Sequence, residues 1–158
     1  MIELFSHKPE NMQFNFEQYL TPIHIGDEIA SLSAILLNDA YYKLLLNGKR
    51  VVDGYSVLDL EYIILFKIRA WLDFIQQIEA GELIDSRTLK KHKNDIFRLL
   101  INVSPLTKIE VEDEINKDIV QFLEKIRDYK PELKHIGIEM LTFEELLDRI
   151  RELYGIIS

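Results

Sequence analysis

YIILFKIRAWLDF, residues 62–74, has the apolar density of a buried helix, yet Lys67 and Arg69 stand in its middle. Leu60, Ile63, Ile64, Ala70, Trp71, Phe74 and Ile78 recur at spacings of three and four, the period of an amphipathic helix. Lys67 falls on that stripe and Arg69 off it. A lysine there either snorkels, with its stem on the core and its ammonium in water, or meets an anion, because burying an unpaired ammonium is costly. Asp59 is the expected N-cap of this helix and Gly81 its end.

Three more helices are expected beyond it. Asp85 or Ser86 opens SRTLKKHKNDIFRLLINV, with apolar positions Leu89, Ile96, Leu99 and Leu100, and Pro105 stops it. EDEINKDIVQFLEKIRDY (112–129) is amphipathic and ends before Pro131. TFEELLDRIRELYG (142–155) carries Thr142 and Glu145 at capping-box spacing, with Gly155 as terminator.

On the N-terminal side, KRVVDGYSVL (49–58) reads as a hairpin turning at Asp53-Gly54. NDAYYKLLLNG (38–48) reads as a short helix capped by Asn38 and closed by Gly48. ASLSAILL (30–37) suits either a strand or the start of a buried helix, and periodicity does not choose. Residues 7–27 read as loop, with Pro9, Pro22 and Gly26 as breakers. MIELFS (1–6) alternates like a strand, Ile2, Leu4 and Ser6 on one side and Glu3 and Phe5 on the other, with nothing ahead of it to form a neighbour. The expected fold is therefore α+β: a small mixed sheet at the N-terminus, then a mainly helical bundle with four main helices after residue 57.

A length of 158 residues allows one domain with a single core, or a domain with a small helical extension. Apolar residues at 47% and charged residues at 29% place the chain among globular rather than disordered sequences. The net charge of -8 argues against nucleic acid as a partner of the whole surface, although a local basic patch can still hold phosphate. The absence of cysteine removes disulfides, zinc–thiolate sites and thiol nucleophiles, and fits a reducing compartment. No basic-then-apolar leader opens the sequence and no apolar run has the length of a membrane span, so a cytoplasmic protein with no membrane partner is expected.

The local inversion of charge lies in RTLKKHKNDIFR (87–98), where Arg87, Lys90, Lys91, Lys93 and Arg98 surround one acid, Asp95. Lys91, Asp95 and Arg98 stand at i, i+4 and i+7 and share a helix face. Such a face is either solvated with one ion pair, or a phosphate-binding surface with an acid in its midst. Asp95 is also the natural partner for Lys67, and a structural ion pair explains that pairing as well as a ligand site does. Glu3 could ligate a metal, but a lone carboxylate binds weakly; magnesium takes two, or one plus substrate phosphates. The histidines at 7, 24, 92 and 135 show no ligand spacing, and no glycine-rich phosphate loop, Gly-x-Ser-x-Gly elbow or Walker sequence is present.

VLDLEYIILFKIRAWLDF (57–74) followed by DSRTLKKHKNDIFRLL (85–100) resembles the back half of AbiEii-like nucleotidyltransferases, the bacterial-type toxins of abortive-infection toxin–antitoxin systems. That family has a helix with Lys-x-x-Ala, matched here by Lys67 and Ala70, and then a helix with basic residues before an aspartate, matched by Asp95. MIELFS is similar to the strand that can present a later carboxylate of the family's metal site, which would place Glu3 there. The match covers roughly residues 1 to 102. It implies catalytic roles for Lys67 and Asp95, phosphate binding by Lys91 and Arg98, magnesium and a nucleoside triphosphate as ligands, and an antitoxin or other protein as partner.

The family's catalysis also depends on an early Gly-Ser or Gly-Gly turn and a nearby pair of acids that hold magnesium. This sequence contains neither dipeptide. The resemblance therefore implies the C-terminal portion of such an enzyme: a partial domain at 1–105, with a helical extension at 106–158 packed on it. It would be inactive alone and bind neither cofactor by itself. Two rivals stand beside it. One is an active transferase completed by another chain. The other is an acidic interaction module, since residues 110–158 hold many more acids than bases. The N-terminal strand, if exposed, would offer an edge for a homo-oligomer.

Overall fold

The computed structural model describes the backbone of residues 2–7, 20–23 and 32–37, and backbone and side chains of residues 38–156. The chain is α+β and divides into two compact units, residues 1–47 and 48–158.

The first unit contains β1 (Ile2–His7), β2 (Leu20–Ile23), β3 (Leu32–Leu37) and α1 (Asp39–Gly48), which runs to the boundary. The strand order is β1-β3-β2, with β3 parallel to β1 and antiparallel to β2, so the sheet is small and mixed as expected. The central place of β3 explains the ambiguity of its sequence. LSAILL is nearly unbroken in apolar character, as a strand paired on both edges tends to be. β2 corrects the reading of residues 7–27 as loop. Pro22 conceals it, yet proline is tolerated on an edge strand, where a ladder donor is dispensable. Glu3 stands opposite Ser33 in the register. Asn38 caps α1 as expected, its Oδ1 accepting from the Tyr41 amide at 3.0 Å.

The second unit opens with a hairpin of β4 (Lys49–Val52) and β5 (Tyr55–Leu58), turning at Asp53 (φ 52°) and Gly54 (φ 84°). Two consecutive left-handed residues make the tight turn that matches strand twist, which is why Asp-Gly stands there. Gly48 is needed for a different reason than the expected helix stop. Its φ is not left-handed, but an added Cβ would lie 2.3 Å from Tyr62 Cγ. The backbone therefore passes over the ring where a side chain cannot.

α2 (Leu60–Glu79) follows. Asp59 precedes it without a side-chain cap, because its carboxylate pairs with Arg50 of β4 instead. α3 (Ser86–Leu100) is capped by Asp85, which accepts from the Arg87 amide at 2.9 Å. α4 (Asp113–Lys125) ends earlier than its pattern suggests and tightens into a 3₁₀ turn at Ile126–Tyr129. Pro131 is the cause, since it drives Lys130 into extended backbone and leaves no room for another α-turn. A second 3₁₀ turn, Leu133–Ile136, leads to α5 (Phe143–Tyr154), which has the full Thr142–Glu145 capping box.

These helices enclose one core. Ile64, Leu65, Ile68, Trp71 and Ile75 of α2 meet Ile96, Phe97 and Leu100 of α3 and Ile115, Ile119 and Phe122 of α4; all are buried. Trp71 is the hub, edge-on to Phe122 at 5.4 Å and to Tyr129 at 5.6 Å. Phe97 carries the contact onward to Phe143 at 5.9 Å. The helices beyond residue 106 thus share a compact unit with α2 and α3. Among the described residues, no helix is long and apolar enough to cross a membrane.

Candidate functional site

Lys67 and Asp95 meet across α2 and α3. Lys67 Nζ donates to Asp95 Oδ2 at 3.0 Å, and Arg98 Nη1 stands 3.7 Å from Oδ1 of the same carboxylate. Ile64, Ile68 and Trp71 around Lys67 are buried, so its stem lies along the core. The charged side chains keep 27% and 24% of their surface exposed. Lys67 therefore does both things its sequence allows: the stem snorkels and the head is anchored.

The cluster carries two cations and one anion, a net positive charge open to solvent. An incoming phosphate would compete with Asp95 for Lys67 and Arg98, and charge-assisted donors of this kind are the strong phosphate binders. Of the face expected from i, i+4, i+7 spacing, Arg98 joins the pair, whereas Lys91 is exposed and makes no ion pair with Asp95 among the described residues. Asp95 is the single carboxylate here and both its oxygens face cations, so with the pair closed the cluster offers magnesium no free carboxylate oxygen. Among the described residues no group of three or more His, Cys, Asp or Glu is placed to hold a metal ion. The side chain of Glu3, the expected metal ligand, lies outside the described residues.

A second ionic cluster was not legible in the same way. Arg69 leaves the stripe to face α4, where its Nη1 donates to Asp118 Oδ1 and Oδ2 at 3.3 and 3.2 Å; its Nη2 lies 3.0 Å from Asp73 Oδ1. Asp118 is 8% exposed, the one buried charged residue among those described. Burial pushes the Asp73 carboxyl above its usual range, and Asp118 pushes it the same way while Arg69 opposes. The signal was available. Asp118 interrupts the stripe Ile115, Ile119, Phe122 of α4 as Lys67 interrupts that of α2.

The basic run of α3 splits by face. Arg87 folds back on Asp85, with Nε 3.2 Å from Oδ2. Lys90 and Lys93 point away from Asp95, toward the turn after α4, and line a cavity there with Lys130. No protein-family model, curated protein or solved structure matches the chain.

Proposed function

We propose that residues 1–105 are a partial nucleotidyltransferase-like domain of toxin–antitoxin or phage-defence type, with residues 106–158 a helical extension, and that the chain is inactive by itself. The observation that supports this reading is the direct contact of Lys67 with Asp95, with Arg98 on the second oxygen, at the positions matched to the family's two helical motifs. In this reading Lys67 and Asp95 are the catalytic pair, Arg98 and Lys91 steady a nucleoside triphosphate, and an antitoxin-like protein is the natural partner. Asp95 holds the lysine head in place until phosphate displaces it. The missing glycine turn leaves nothing to cradle the triphosphate, so binding is weak.

The test is twofold. Triphosphate titrated into the chain, with and without magnesium, should bind weakly, and Lys67→Ala should weaken that binding several-fold. Equal binding by Lys67→Ala would remove the reading. Labelled nucleotide should not be incorporated into protein or RNA. Incorporation that Lys67→Ala abolishes would overturn the inactivity and favour a complete enzyme.

A second reading has its own support. Residues 110–158 hold thirteen acids against seven bases, and every acid but Asp118 is exposed. Such a surface suits a basic partner protein, whose binding would fall steeply with salt. A lysine-rich peptide that binds with no salt dependence, or not at all, would count against it.

A further inference from the structure

A cavity of about 210 Å³ lies between the first half of α3 and the turn that follows α4. Lys90 and Lys93 enter it from α3, Lys130 from the opposite side, and Ser86 stands at the start of α3. Trp71, Leu89 and Tyr129 form its apolar walls, and Glu132 is the single acid among its lining residues. Glu132 already has a partner, His135 Nδ1 at 2.7 Å from its Oε2. Three lysines thus line the cavity beside one carboxylate in a protein whose net charge is -8. Like charges gathered into a concave site are unfavourable unless an anion joins them.

Trp71 is fully buried, and its indole N–H, closed off from the cavity, meets only the edge-on rings of Phe122 and Tyr129. Burial and the neighbouring Lys90 also hold the Lys93 ammonium below its ordinary pKa, with Glu132 compensating in part. Lys130 places its Nζ 5.3 Å from the centre of the Phe143 ring, beside the cavity its stem lines.

We propose that this cavity is a binding site for a small oxyanion of the phosphate class, inorganic phosphate or the phosphate end of a phosphomonoester, held by Lys90, Lys93 and Lys130. Size sets the class. Sites for drug-sized ligands run from about 300 to 1,000 Å³, so this one is too small for a whole nucleoside triphosphate. It is distinct from the Lys67–Asp95 cluster and does not rest on the reading given above.

Trp71 is the only tryptophan of the chain, so its indole N–H gives one resonance and its fluorescence one signal. Sodium phosphate titrated into the full chain, with chloride as the control at equal ionic strength, should shift both saturably in the millimolar range. Lys90→Met/Lys93→Met should raise the apparent Kd at least tenfold, Lys130→Gln several-fold, and Lys108→Met, an exposed lysine outside both clusters, should leave it unchanged. Methyl phosphate and adenosine monophosphate separate the two sources. Tighter binding of either marks a phosphomonoester site, and preference for inorganic phosphate marks a free-anion site. The proposal is overturned by an unsaturable response, by a chloride response of equal size, by an unchanged Kd in the double variant, or by an equal rise of Kd in Lys108→Met.

Discussion

At the scale of single residues, Lys67 shows how far one misplaced charge can be followed. A lysine on an apolar stripe must either reach water or find an anion, and this one reaches both, at 3.0 Å from Asp95 with a quarter of each side chain exposed. That partial exposure sets the energy. Exposed pairs contribute about 0–1 kcal/mol, and removing one partner of a buried pair costs about 3–5 kcal/mol. A coupling of about 1–2 kcal/mol is expected between those limits. In urea unfolding, Lys67→Met should cost more alone than beside Asp95→Asn. A cycle that closes at zero coupling would show that the contact contributes nothing to the fold. The pair was legible because charge on a helical stripe is a visible conflict. Arg98 was legible from its spacing, whereas the detachment of Lys91 was not. Residues at i and i+4 share a face, but spacing does not say which of them the neighbouring helix reaches.

At the scale of elements, the α2–α4 contact is held at one place by Arg69, Asp73 and Asp118. Two carboxylates share one guanidinium there, and Asp73 has its carboxyl raised by burial and by Asp118. In the window just above the ordinary aspartate pKa, the folded protein therefore binds more protons at Asp73 than the unfolded chain does. Stability from this group rises as pH falls through that window. Glu145 acts in the opposite direction, since its hydrogen bonds from Thr142 lower its pKa and that stability is lost on acidification. Comparison with Asp73→Asn cancels the Glu145 effect. Wild type should gain on Asp73→Asn between pH 7 and about pH 4 in urea unfolding. A difference that does not vary with pH, or varies the other way, would show that Asp73 titrates as it does in the unfolded chain. Element boundaries were legible where caps and glycines mark them, as in the Thr142 box and the Asp53-Gly54 turn. They were misread where a rule has an exception: Pro22 inside an edge strand, and Asp59 drawn from its cap by Arg50.

At the scale of the whole molecule, the α+β order was legible because helix and strand periods differ and the helical stripes after residue 57 are strong. The grouping of elements was harder to read, because a resemblance confined to residues 1–102 says nothing about what α4 and α5 pack against. The answer lies in Trp71, whose contacts with Phe122 and Tyr129 bind the C-terminal helices into the same core as α2 and α3. Among the described residues, the largest fully buried side chains run from Ile64 to Ile126, within residues 48–158. Tyr154 ties the far end of that unit to its beginning, donating to the Glu61 carbonyl at 2.6 Å. Ile109, between α3 and α4, donates to the Leu153 carbonyl at 2.8 Å. A span with its own core, closed end to end in this way, is large enough to fold alone. Residues 48–158 produced by themselves should give a helical circular dichroism spectrum and one cooperative transition. The expected stability is roughly 5–10 kcal/mol. The Trp71 indole resonance should stand where it does in the full chain. A broad transition, or an indole resonance at the random-coil position, would mean that the first 47 residues supply part of the core that residues 48–158 are expected to complete by themselves.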